Sequence, residues 1–269
     1  IEILRDYLES DIKIILGDIE YHYFAGYGGT RKSILPGISS KKTIQDNHCM
    51  LFLENSKTGR LKENELSREM FEALRMAGCD FCLNIVLNSN HKIVGAWAGK
   101  PESVMDAGVK LVDSMYKKTI AEKPDIVIVS ANGHPHDINL YQAMKALHTA
   151  TQITKKKGVI ILVAECPEGH GSDLYMDWLK KYKTSDEVQK GLEENFVIGA
   201  HKAYYHRKAV EDYKVFFVSS IDKACARRDF EVECVPDPNK GLERAFEIMG
   251  EDSKVMVLPL GTTTFVQVV

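Results

Sequence analysis

The hydrophobic and polar positions fall into two stretches with different rhythms. In the first, the β-branched and aromatic runs at 11–17 (DIKIILG) and 19–24 (IEYHYF), punctuated by Gly17 and Gly26, predict two short strands with His22 near a strand end. Ser39 or Ser40 is a suitable N-cap for a helix over 39–50 that carries His48 toward its end. Residues 65–77 (ELSREMFEALRMA) have the period of an amphipathic helix, and the apolar runs 81–87 and 92–97 flank Asn88-Ser89-Asn90 as a hairpin. Pro101 then opens a helix with apolar Val104, Val109, Val112 and Met115.

From Pro124 the rhythm becomes strand, polar loop, helix. DIVIVS (125–130) precedes NGHPHD and a helix from Asn139, and VIILVA (159–164) precedes ECPEGHGSD and a helix around 175–181; 215–219 and 255–258 complete the series. Continuous apolar strands between helices predict a parallel sheet covered on both faces. Ligands of such sheets bind at the carboxyl edge, which is where 132–137 and 165–173 would lie. The expected class is α/β with two domains. The second, 119–254, is a parallel-sheet βαβ sandwich; the first, 1–118 together with 255–269, is an incomplete α/β domain.

Composition narrows the function. A chain of 269 residues with 44% hydrophobic content buries a substantial core, and a net charge of −3 with dispersed Lys and Arg gives no footprint for nucleic acid or an anionic membrane. No apolar run approaches the ~18–20 residues of a membrane span and the first residues lack a signal-peptide layout, so a cytoplasmic protein acting on a small molecule is expected. The six cysteines are irregularly spaced and read as reduced thiols, with Cys79 and Cys82 packing in a strand. The chain starts at Ile1, without Met, and enters helix-like sequence at once, which suggests a fragment.

Candidate chemistry concentrates between His22 and His48, where two imidazoles, Lys32 and four glycines share 27 residues. The loop GYGGTRKS (26–33) departs from the Walker pattern because Arg31 stands where glycine is required. Glycines before a basic residue can still cradle a phosphate through backbone N–H groups. Imidazole suits proton transfer and, when neutral, nickel or zinc ligation. A lysine beside Arg31 has its ammonium form disfavoured, which favours covalent attachment through nitrogen. Downstream, Gln142 and Lys145 lie at i and i+3 of a helix, where amide and ammonium can converge on a carboxylate.

The spacing of His22, Lys32 and His48 within HYFAGYGGTRKSILPGI, with Tyr141-Gln142-Ala143-Met144-Lys145 far downstream, resembles the nickel-dependent lactate racemase family over essentially the whole chain. The resemblance implies a 2-hydroxy acid racemase or epimerase that works by reversible hydride transfer. It implies a nickel-pincer nucleotide (pyridinium-3-thioamide-5-thiocarboxylic acid mononucleotide carrying nickel) joined to Lys32, with His48 as nickel ligand and His22 as one of two bases. It further implies Tyr141 at the cofactor and Gln142 with Lys145 on the substrate. Partners would be a small 2-hydroxy acid, cofactor-biosynthesis proteins and the family's N-terminal segment, which supplies the second base and is not in this sequence; without it the 269-residue piece would be inactive. A nucleotide-dependent transferase using the Gly26–Ser33 loop, or a carboxylate-binding module without turnover, are the other readings. His134 and His136 divide evenly between solvent-facing and substrate-adjacent, residues 165–171 between pocket lining and a Gly-rich turn, and Tyr205 between core packing and the cofactor.

Overall fold

A computed structural model describes residues 1–269, which fall into two compact units, Ile1–Lys117 and Lys118–Val269. The first unit contains α1 (Arg5–Glu9), β1 (Ile14–Asp18), the hairpin β2 (Tyr21–His22) and β3 (Gly26–Tyr27), α2 (Lys41–His48), α3 (Glu65–Ala77), β4 (Phe81–Leu87), β5 (Ile93–Gly99) and α4 (Pro101–Tyr116). Strands β1 and β4 are parallel and β4 and β5 antiparallel, in the order β1-β4-β5. The inward positions of β4, Cys82, Asn84 and Val86, are buried, and α4 packs against β4 and β5. Two expected local signals operate, Ser40 capping α2 and Pro101 opening α4, and the structure adds Asn64 as the cap of α3.

Strand β6 (Lys117–Ile120) starts at the boundary, and the second unit goes on with β7 (Ile126–Ser130), α5 (Leu140–Ile153), β8 (Val159–Val163), α6 (Asp173–Lys181), α7 (Ser185–Glu194), α8 (His201–Asp212), β9 (Lys214–Val218), α9 (Lys223–Asp229), β10 (Glu233–Cys234), α10 (Pro238–Met249), β11 (Val255–Leu258) and β12 (Phe265–Val268). Its sheet is all parallel in the order β10-β9-β8-β7-β11. Ile126, Ile161 and Phe216 pack with Leu242, Phe246 and Met249 of α10. The alternate positions Val127, Ile160, Leu162 and Phe217 are equally buried, and α5 and α8 pack on β7, β8 and β9. Burial of both faces is why these strands read as unbroken apolar runs.

One expected boundary is corrected. Residues 255–269 belong to the second unit: Val255–Leu258 pairs in register with Ile126–Val129 as the outer strand of the parallel sheet, and β12 pairs with β6. The strand pattern at 255–258 therefore outweighs any assignment of the chain's last residues to the first domain. No helix is long and apolar enough to cross a membrane.

Candidate active site

The first unit brings His22, Lys32 and His48 together. His22 ends β2, whose partner across the hairpin is Gly26. Its ring meets Phe24 edge-on at 4.5 Å, and Phe24 meets His48 at 5.0 Å, so one phenyl ring joins the two imidazoles. Lys32 lies in a short 3-10 turn, Thr30–Ser33, close enough to His48 for its charge to act on the imidazole. Burial chiefly, then the Lys32 charge, pushes His48 down to about 4, against a hydrogen bond to the Ile44 backbone. At neutral pH the His48 ring is therefore neutral, the form that ligates a metal. The Ala25 N–H donates to His22 Nδ1 at 3.2 Å, which assigns the neutral ring's own proton to Nε2.

Arg31, whose role the sequence did not show, holds this loop. It is fully buried, and Nη2 donates to the carbonyls of Ala25 (2.9 Å) and Tyr27 (3.0 Å) while Nε donates to Ser67 Oγ (2.9 Å). Its guanidinium also lies 5.0 Å from the centroid of Phe71. Asn64 extends the network, accepting from the Ser67 N–H and donating to the Phe24 carbonyl at 2.7 Å. The residue beside Lys32 is thus also the strut that fixes the turn presenting it.

Hydrogen bonds from the loop's own backbone alter the expected phosphate cradle. The N–H groups of Gly28, Thr30 and Lys32 donate to Glu20 O, Asn84 Oδ1 and Gly29 O at 2.8, 2.9 and 3.1 Å, so they already serve the protein. Gly29 adopts φ +80°, and a Cβ there would come within 2.7 Å of the Asp18 carbonyl and Asn84 Oδ1. Its glycine is explained by close packing of the loop on β1 and β4.

The hairpin that carries His22 is tied to α4. Tyr21 and Tyr27 pair across it and both hydroxyls donate to Asp113 Oδ1 at 2.7 Å. Burial and that carboxylate push both phenols well above their usual range. Asp113→Ala leaves two hydroxyls without this acceptor and is expected to cost about 2–3 kcal/mol, against about 1 kcal/mol for Tyr21→Phe. Urea unfolding followed by Trp97 fluorescence checks this; equal losses for the two variants would remove the shared-acceptor account.

In the second unit Tyr141, Gln142 and Lys145 occupy the first turns of α5 at the carboxyl edge of the parallel sheet. Asn139 caps the helix by accepting from the Gln142 N–H at 3.0 Å, and the carbonyls of Gly169 and His170 accept from the Leu140 and Tyr141 N–H groups. Residues 165–171 are thus a turn bound to the start of α5: the Cys166 N–H donates to Asp137 O, and the Glu165 carbonyl accepts from Ser219 and Ser220. His134 is exposed and His136 half-buried. Tyr205 packs against His148 with ring centroids 4.6 Å apart.

Comparison with known proteins agrees with this architecture. The lactate racemase C-terminal domain model matches residues 119–266 and the lactate racemase N-terminal domain model matches residues 1–59. A lactate racemase of Thermoanaerobacterium thermosaccharolyticum is 36% identical over 99% of this chain and 64% of its own length. One of Lactiplantibacillus plantarum is 32% identical over 96% of this chain and 62% of its own. The chain thus spans less than two thirds of either relative. The solved lactate racemase apoprotein from T. thermosaccharolyticum superposes with a TM-score of 0.92 at 34% identity, covering 98% of this chain and 65% of that one. A Thermotoga maritima protein at 17% identity and a TM-score of 0.73 shares the fold.

Proposed function

This chain belongs to the lactate racemase family, and from that premise we propose that it serves the racemisation of a 2-hydroxy acid of the lactate class. The observation that carries the reading is the junction of His22 and neutral His48 through Phe24, with Lys32 near enough for its charge to act on His48. The Cα–H beside a carboxylate is too weakly acidic for easy proton abstraction, and removal as hydride avoids the carbanion. A nickel-pincer nucleotide supplies, when bound, a reversible hydride acceptor. The residues present fit such a group: Lys32 offers an amine nitrogen for a thioamide tether, and His48 offers a neutral imidazole to nickel.

His22 would take the hydroxyl proton as the carbinol carbon becomes a planar keto carbon, and return it afterwards. To accept at Nε2 the ring proton must move to Nδ1, which gives up the 3.2 Å contact with the Ala25 N–H. Gln142 and Lys145, on one face of α5, would hold the carboxylate, with Tyr141 beside the cofactor. The transferase alternative loses support because three of the loop amides that could cradle a nucleotide phosphate, those of Gly28, Thr30 and Lys32, serve protein acceptors.

The test is intact mass and nickel content of protein made in cells that synthesise the cofactor. Wild type is expected to carry an added mass on Lys32 together with nickel, Lys32→Ala neither, and His48→Ala the mass with little nickel. Unmodified, nickel-free wild-type protein from such cells would overturn the proposal. Loss of optical rotation across a panel of single-enantiomer 2-hydroxy acids identifies the substrate.

A further inference from the structure

The second unit concentrates positive charge between α5 and α8 beyond what the reading above uses. Tyr141, Lys145 and His148 stand at i, i+4 and i+7 of α5 and share one face. Helix α8 packs against α5 and contributes Lys202 and Tyr205. Lys202 is only 4% exposed, yet its side chain does not leave the seam. Its Nζ donates to the Tyr141 carbonyl at 2.6 Å and lies 4.4 Å from the centroid of the Tyr141 ring. Lys145, one helical turn further along α5, is near enough for its charge to act on this amine.

Burial and neighbouring positive charge both disfavour the charged forms in this seam. Burial first, then Lys145, pushes the Lys202 amine down to about 7; burial and Lys202 in turn push His148 down to about 4. Like charges gathered in a low-dielectric seam raise each other's free energy, and a small anion reverses the sign of that interaction. The Tyr141 carbonyl and ring hold the Lys202 ammonium at the helix turn that also carries Gln142, where a carboxylate would meet both cations.

We propose that Lys202 joins Lys145 in a two-cation subsite for the carboxylate of a small organic acid, with Tyr141 fixing the Lys202 amine in place. This rests on the reading of Lys145 as a carboxylate-holding residue. It adds a second charge from a different helix, and it makes carboxylate affinity depend on α8.

Titration calorimetry on the whole protein with L-lactate, and separately with sulfate, tests it. Wild type is expected to bind L-lactate and to take up protons as it does so near pH 7.5, because the anion raises the affinity of the Lys202 amine for its proton. Lys202→Met is expected to weaken binding about tenfold or more and to abolish that uptake. Lys202→Gln can still donate to the Tyr141 carbonyl without the charge; it should bind as weakly as Lys202→Met, while Lys202→Arg restores most of the affinity. Unliganded melting curves report folding, and the Gln and Arg pair decides the matter if the Met variant does not fold. Unchanged lactate affinity and proton uptake in Lys202→Gln would overturn the inference, as would a wild type that binds neither anion. Lys202-dependent binding of sulfate without binding of any 2-hydroxy acid would uphold the anion subsite and overturn the substrate reading above.

Discussion

Replacing Arg31 by methionine is expected to lower the stability of the first unit by about 3–5 kcal/mol. The side chain is fully buried and bonded to Ala25 O, Tyr27 O and Ser67 Oγ. Methionine fills part of the volume but leaves two buried carbonyls without these donors, each a loss of about 1–3 kcal/mol. Burial pulls the guanidinium down only to about 9, so it remains charged at neutral pH and its bonds are charge-assisted. Lysine is a poor substitute, because one ammonium cannot reproduce a planar fork that reaches three acceptors and lies over Phe71. Trp97 is in the first unit and Trp178 in the second, so a Trp178→Phe background isolates the signal. With a urea slope of roughly 2 kcal/mol per molar, the midpoint of Arg31→Met should fall by about 2 M. A midpoint within error of wild type would show that Arg31 is not the strut of the loop. The expected damage extends to function, since the turn that Arg31 fixes presents Lys32.

That role was invisible in the sequence for a physical reason. Apolar periodicity and caps are local, and they gave the hairpin at Phe81–Leu87 and Ile93–Gly99, the Pro101 helix, the Asn139-capped α5 and the parallel sheet. Ownership of a hydrogen bond is not local. Whether the loop amides face a phosphate or the protein depends on Glu20 and Asn84, and only the folded chain sets Asn84 against Thr30. Buried cations mislead in the same way. HKAYYHRKAVED is rich in ionisable side chains, yet His201, Lys202, His206 and Arg207 are all buried. Arg207 finds the carbonyls of Leu179 and Tyr182 and the carboxylate of Glu231, all distant in sequence. The available signal was the small Ala203 and Ala209, which share a face with His206 and mark it as packed. Type, spacing and family likeness singled out His22, Lys32 and His48 as candidates, whereas the junction of the two imidazoles through Phe24 is visible only in the fold.

Acidification from pH 6.5 to 4 is expected to remove about 3 kcal/mol from the second unit through His206, with a further loss in the same direction through His148. His206 is buried with both ring nitrogens engaged: the Tyr175 hydroxyl donates to Nδ1 and Nε2 donates to the Phe230 carbonyl, each at 2.7 Å. That pattern suits the neutral ring. Burial chiefly, with the nearby Arg207 charge adding to it, pushes His206 from 6.5 down to about 4, and burial with Lys202 pushes His148 to about 4. Between these values the unfolded chain binds protons that the folded unit does not, so stability rises with pH through this window. The contribution is fully present above about pH 6.5, is lost progressively on acidification and reaches its full loss near pH 4, at about 1.4 kcal/mol per pH unit per histidine. The carboxylate of Asp229, held down at about 2 by its hydrogen bonds to Arg228, acts in a lower window. Urea midpoints read from Trp178 in a Trp97→Phe background between pH 7.5 and 5 measure the slope. His206→Gln is expected to be less stable than wild type at pH 7.5 but to lose less on acidification, so that the two converge. Parallel pH profiles for the two proteins would rule out His206 as a source of the acid sensitivity.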